Sequence, residues 1–348
     1  MTAGASRIKR VLSAGSRSTV GGLLLLTAVS WAIYQTLGDG FLSSFNLFTL
    51  SQLAAETAII GFSQLVVLVI GRLNLAVGAI GVVVVIATGW MVGVAGVPPL
   101  PGLMLGLALG AALGALLGIL ELATGLSSFI VTLAMASIYA GIVLIASGGA
   151  AISSIPPAIT DFSNDIPLGP AVSLLVIPAL AVTALLWLLY HRSTWGWTML
   201  AVGANERAAE LSGVRVGRVV VGSFALSGLL AAVAALIEMS RVASSLPSLG
   251  TSWLLSSLVV PILGGTALIG GTVGVGGALV AALFIESINS GLVSLNVPAY
   301  WQQFAQSAIL LVAVIADQIR RTRPRRPSLP DRDAPLASVP ETGAPRAA

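Results

Sequence analysis

The sequence predicts an all-α protein, a polytopic bundle of transmembrane helices with about ten spans and with both termini on the cytoplasmic side. Three observations carry this. Of the 348 residues 56% are hydrophobic and only 9% are charged, against roughly 25% charged in an average soluble domain. Ten apolar runs follow one another along the chain, each near the ~20 residues a helix needs to cross hydrocarbon. When these runs are threaded alternately, 16 of the 17 basic residues fall on one side and only Arg241 on the other, as the positive-inside bias requires.

In chain order, residues 1–18 form a polar N-terminal tail with Arg7, Lys9, Arg10 and Arg17. No small-residue cleavage pattern follows, so the next apolar run is a permanent span. The runs lie near 19–37, 48–70, 75–96, 101–123, 127–147, 171–190, 219–239, 252–269, 273–294 and 299–317, giving a transmembrane domain over 19–318. The stretch 252–294 is rich in glycine and is expected to contain a broken or re-entrant helix, which survives at membrane depth only where protein or water shields it. The loop 148–170 is external, with Asp161, Asp165 and four prolines. Residues 319–348 are Arg-, Pro- and Ala-rich and too poor in large apolar side chains to offset chain entropy, so a disordered cytoplasmic tail is expected.

Composition excludes several chemistries. With no cysteine there are no disulfides or thiolate sites, and the single histidine, His191, makes a histidine-built metal site improbable. Lys9 is the only lysine, so the chain has no nucleotide-binding loop of the kind whose lysine holds the phosphates. The net charge of +4 sits in tails and short loops, where topology explains it and nucleic-acid binding does not.

Within the fourth run Gly102, Gly106, Gly110, Gly114 and Gly118 recur every four residues. Such small-xxx-small spacing makes a seam for close helix contact; a glycine-lined conduit is the competing interpretation. The most polar internal stretch, 191–218, contains AVGANERAAELSGV from Ala201 to Val214. Gly203 closes an incoming turn, Asn205 is a good N-cap, Glu206 suits a helix N-terminus and Gly213 supplies a left-handed stop, bracketing about seven helical residues.

This segment resembles the cytoplasmic coupling loop of ABC importer permeases of the ribose, xylose and autoinducer-2 type, within the branched-chain permease superfamily. The matching positions are Ala201, Gly203, Asn205, Ala208, Ala209, Ser212 and Gly213. Arg207 stands where the more general importer motif has glutamate. GGTALIGGTVGVGG from Gly264 to Gly277 is similar to a second family segment, with Ala267 in place of serine, and FIVTLAMASIYAGI and YWQQF extend the resemblance over roughly 45–317. IGRLNLAVG from Ile70 to Gly78 departs from it: Arg72, Asn74 and Ala76 replace glycine, aspartate and serine.

The resemblance implies a noncatalytic transport subunit that moves a small polar solute, a sugar by preference, across the bacterial inner membrane. It implies two separate ABC ATPase chains holding the ATP, a second permease chain, the same or related, and an extracytoplasmic solute-binding protein. The segment around Ala201–Gly213, with Arg207, would couple to the ATPases, its two alanines entering a groove. Asn74, Gly78, Gly264, Gly265 and Thr266 would lie along a translocation path. The chain itself would bind membrane lipid, but no cofactor, metal or nucleic acid.

Two other readings remain open. Glu56, Glu121, Glu238 and Glu286 lie in or near spans, where ionisable groups are costly and functional by default. An ion-coupled secondary transporter would need them, although no relay is visible at helical spacing. A degenerate, noncatalytic permease partner is the other. Trp31, Trp195, Trp197 and Trp301 fall near span ends as interfacial anchors, and Trp253 is assigned to packing or the interfacial belt ahead of ligand stacking.

Overall fold

The computed structural model describes residues 2–38, 40–164 and 169–322. Those residues form thirteen α-helices: α1 (Thr2–Leu37), α2 (Ser44–Leu68), α3 (Val77–Gly89), α4 (Pro99–Thr124), α5 (Ser128–Ser147), α6 (Pro157–Asn164), α7 (Val176–Arg192), α8 (Thr194–Ala204), α9 (Glu206–Leu211), α10 (Val216–Val242), α11 (Trp253–Leu263), α12 (Val275–Ser294) and α13 (Ala299–Thr322). A π-helical turn, Trp90–Val94, prolongs α3. The single extended pairing among the described residues joins Ile152 to Ser245.

Seven of these helices are long and apolar enough to cross a membrane, and α7 with α8, bent by 75°, makes an eighth if the pair is taken as one span. Helix α11 is apolar but has only 11 residues. The segment read as a polar tail before the first span is continuous with it in α1, whose apolar portion is Val20–Leu37. Residues 319–322 belong to α13, and the rest of the expected tail, 323–348, lies outside the described residues, as do Asp165 and Pro167 of the external loop. That loop also contains a helix the sequence reading did not anticipate, α6, which starts at Pro157, where proline's fixed φ suits a first helical turn.

Local chemistry sets the helix limits. The Ser43 hydroxyl accepts from the Asn46 amide at 3.3 Å to open α2, and Pro99 opens α4. Gly125 (φ 66°) and Gly148 (φ 60°) end α4 and α5 in the left-handed conformation that glycine adopts at little cost.

Leu24, Leu25, Leu105, Ile119, Ile130, Leu133, Ile142 and Leu185 are exposed on α1, α4, α5 and α7, while Phe62, Phe224 and Ile59 are fully buried and glycines take the closest helix contacts. This is what lipid as solvent dictates, because large apolar side chains lose nothing by facing it and small ones let backbones approach. Helix α2 runs through the centre, buried continuously from Ala55 to Leu68, against α10, α11 and α12.

The glycine seam on α4 is a packing surface. A Cβ on Gly114 would overlap the Phe224 carbonyl oxygen of α10, and one on Gly110 would meet Ala232 at 2.5 Å. Gly118 faces Val221, while Gly106 and Gly102 receive Thr88 and Val92 from the α3 side. The contact is reciprocal, since a Cβ on Gly228 would overlap the Gly110 carbonyl oxygen.

Candidate functional site: an elbow, two helix breaks and a polar cavity

The polar stretch 191–218 folds as an elbow. The Ser193 hydroxyl accepts from the Gly196 amide at 3.0 Å and opens α8. Asn205 ends α8 and caps α9, its Oδ1 accepting from the Ala208 amide at 3.0 Å. Gly213 follows α9 at φ 85°, and the Ser212 hydroxyl returns a bond to the Ala208 carbonyl at 2.8 Å. The six-residue α9 therefore lies where the cap signals bracketed it.

The surface of the elbow differs between its two alanines. Ala201, Asn205, Arg207, Ala208, Ser212 and Gly213 are exposed, with Arg207 paired to Glu210 at 2.8 Å. Ala209 is only 6% exposed and belongs to the chain's own apolar core. Of the pair, Ala208 alone is presented to an outside partner.

Gly203, near the end of α8, is lodged between two helix breaks. The first, 69–76, interrupts α2 and α3; the second, 264–274, interrupts α11 and α12. The Val69 carbonyl accepts from the Gly271 amide at 2.9 Å, tying the breaks together. A Cβ on Gly203 would overlap that carbonyl oxygen and lie 2.6 Å from the Gly271 nitrogen, so only glycine lets the elbow seat here.

Arg72 fastens the same junction. Its Nε lies 2.5 Å from Glu121 Oε1 at the end of α4, and its Nη1 and Nη2 donate to the two carboxylate oxygens of Glu206 at 3.1 and 3.2 Å. The residue that departs from the family pattern thus joins helix break, α4 and elbow.

Four of the five residues read as a translocation path, all but Gly265, are packed against protein. Asn74 is fully buried: its Nδ2 donates to Ser227 Oγ at 2.9 Å and its Oδ1 accepts from the Ala76 amide at 3.0 Å. Extended chain around it is held by the Ser128 and Thr132 hydroxyls, which accept from the Leu73 and Leu75 amides at 3.1 Å each. Gly78 abuts Gly250, Gly264 abuts Gly277 and Ala278, and Thr266 Oγ1 accepts from the Gly274 amide at 3.2 Å. Gly265 is exposed, at φ 93°. Asn74, Gly264, Gly265 and Thr266 lie in the two breaks, but none of the five lines the polar cavity between α2, α10, α11, α12 and α13.

That cavity has a volume of about 800 Å³. Glu56 and Thr57 of α2, Glu238 and Arg241 of α10, and Glu286 and Asn289 of α12 contribute to its wall, with Trp253 at the start of α11 and Gln306 on α13. Arg241 Nε donates to Glu56 Oε2 at 3.1 Å, and its Nη2 lies 3.8 Å from Glu238. Thr57 Oγ1 donates to Glu286 Oε1 at 2.7 Å and Asn289 Nδ2 to Glu286 Oε2 at 3.2 Å. Gln306 Nε2 extends the chain of bonds to Asn289 Oδ1 at 3.4 Å. Glu56 is the middle residue of α2 and Glu286 lies near the middle of α12, whereas Val69, beyond the end of α2, meets the elbow. The cavity therefore lies about halfway along α2, some 13 residues or roughly 20 Å of helix from the elbow contact.

Helical spacing could not reveal this cluster, because its three glutamates come from three helices. The available signal was Arg241, the one basic residue that the topology left on the far side.

Comparison with known proteins agrees with the geometry. Residues 46–314 match the family described as the permease component of the branched-chain amino acid transport system. The ribose import permease protein RbsC of Bacillus subtilis is 34% identical over 291 residues, covering 82% of this chain and 88% of that protein. RbsC of Escherichia coli K12 is 30% identical, covering 84% and 92%, and the fructose import permease protein FrcC of Rhizobium meliloti is 30% identical, covering 85% and 83%. No solved structure matches the chain. A broken-helix bundle with a capped elbow, matched along most of its length, belongs to the branched-chain transport permease family.

Proposed function

We propose that this chain is the membrane permease subunit of an ATP-driven importer of a small sugar, resident in the bacterial inner membrane. In this reading α1, α2, α3, α4, α5, α7, α10, α11, α12 and α13 make ten passes, with both termini in the cytoplasm. Contacts between helix ends support the threading, with the segment before the short α11 running back into the bundle so that Gly250 meets Gly78 and Trp253 meets Gly81. Gly93 with Ser154, Ile152 with Ser245 and Gly38 with Leu295 meet at one end, and Gly203 with Val69 and Leu73 with Ser128 at the other.

The observation that carries the mechanism is the seating of Gly203 on both helix breaks. Two ATPase chains dock on the exposed face of α8 and α9, with Arg207 and Ala208 at the contact. A second permease chain frames the pathway, and a solute-binding protein delivers cargo from outside. ATP binding favours one arrangement of the breaks only if the ATPases hold the elbow differently in the two states, since equal affinity for both shifts nothing. Asn74, Gly78, Gly264, Gly265 and Thr266 act as the inner seal that this movement loosens.

Reconstitution with and without the ATPase chains tests the reading: sugar uptake should require both the ATPases and ATP. The cluster of Glu56, Glu238 and Glu286 favours a second reading, an ion-coupled transporter. Uptake by this chain alone under an ion gradient would establish that reading and overturn the first. Assembly with the ATPases and no uptake under either condition would indicate a degenerate partner.

A further inference from the structure

We propose that the polar cavity between α2, α10, α11, α12 and α13 is a binding site for a neutral monosaccharide, occupied before the cargo reaches the helix breaks. This rests on the import reading above and adds to it a location and a mode of recognition.

Ionisable and amide side chains are costly within a span and are retained where they meet solute or one another. Here they do both. Arg241 already answers Glu56, and Glu286 already accepts from Thr57 and Asn289, which leaves these groups polar but largely compensated. Each carboxylate oxygen keeps lone pairs that can accept from O–H donors, and the two oxygens of one carboxylate match two neighbouring hydroxyls of a sugar. Glu238 is 9% exposed, and its Oε2 has no hydrogen-bond partner. An unmet buried acceptor on the wall of a cavity calls for a donor from what fills it. Asn289 and Gln306 supply both donors and acceptors, and Leu53, Ile60 and Trp253 supply apolar wall for the C–H faces of a ring.

The size suits a small solute, since binding cavities for such molecules fall at roughly 300–1,000 Å³. Other ligand classes fit less well. An anion would face three carboxylates against one guanidinium, and among the described residues no group of three or more His, Asp or Glu is arranged to hold a metal ion. The cavity's place about halfway along α2, clear of the elbow, also suits a site emptied by movement at the breaks.

The absence of cysteine from the sequence provides the test. Ser252→Cys and Ser256→Cys place thiols on the cavity wall, and Ala150→Cys places one on an exposed loop outside it. Each variant is assembled with its ATPases and binding protein in proteoliposomes and offered ribose, xylose and fructose. Its rate after treatment with a bulky water-soluble maleimide is compared with its own unlabelled rate. Labelling at 252 or 256 should cut uptake at least tenfold, and the transported sugar should slow that labelling at least threefold. Labelling at 150 should do neither. Uptake that survives complete labelling at both wall positions, or labelling that the transported sugar does not slow, overturns the site alone. Failure of the cysteine-free importer to take up any of the three sugars with ATP overturns the import reading, and this inference with it.

Discussion

Replacing Arg72 by methionine keeps much of the side chain's apolar stem and removes its charge, which separates the two ion pairs it makes. Glu121 is 5% exposed and lies 2.5 Å from the guanidinium, so its carboxylate loses its counter-charge without gaining water. Breaking a buried pair by removing one partner costs about 3–5 kcal/mol. The Arg72 side chain is itself 23% exposed, which screens the pair and lowers the expected loss to about 2–3 kcal/mol. The Glu206 side chain is 46% exposed, and Glu206→Gln should cost no more than about 1 kcal/mol. At roughly 2 °C per kcal/mol, the thermal midpoint of the detergent-purified protein, followed by tryptophan fluorescence at a fixed scan rate, should fall about 5 °C for Arg72→Met and at most about 2 °C for Glu206→Gln. Combining Arg72→Met with Glu121→Gln should recover most of the loss, because no buried charge is then stranded. Raising salt to about 1 M shortens the screening length to about 3 Å and should erase the Glu206 effect while leaving the Glu121 effect. Equal losses for the two single variants, or no recovery in the double variant, would refute the assignment of Glu121 as the buried partner.

Three further outcomes follow from the same geometry. Gly114→Ala forces a Cβ onto the Phe224 carbonyl and should destabilise by about 1–3 kcal/mol. Gly141→Ala, with no atom within 4 Å of the new Cβ, should gain up to about 1 kcal/mol, and thermal midpoints that fail to separate in this order count against the α4–α10 seam. Ala208→Trp should keep the thermal midpoint and abolish ATP-driven uptake, whereas Ala209→Trp should lower both because Ala209 packs inside the chain; undiminished uptake by Ala208→Trp removes it from the ATPase contact. In sealed cells Ala150→Cys should react with an impermeant thiol reagent and Ala208→Cys should react only after permeabilisation, the reverse result inverting the topology.

The helices and the elbow could be read from sequence because their signals are local. Apolar runs marked the seven helices long enough to cross a membrane, Asn205 and Gly213 bracketed α9, and the four-residue glycine repeat marked the seam on α4. Each of these depends on residues within a few turns of one another, where helical geometry fixes who is neighbour to whom. Glu56, Glu238 and Glu286 do not; they meet because α2, α10 and α12 pack side by side. The same limit applies to Arg72, which reads as an isolated departure until Glu121 and Glu206 arrive from elsewhere, and to Ala209, whose burial depends on packing beyond its own short helix.

A single peptide oxygen, that of Val69, serves as acceptor for one broken helix while it leaves no clearance for the elbow. Two membrane segments far apart in sequence therefore share one fulcrum. While the Gly271–Val69 bond holds, the two segments shift together, so a stroke that opens one and leaves the other at rest must first part it.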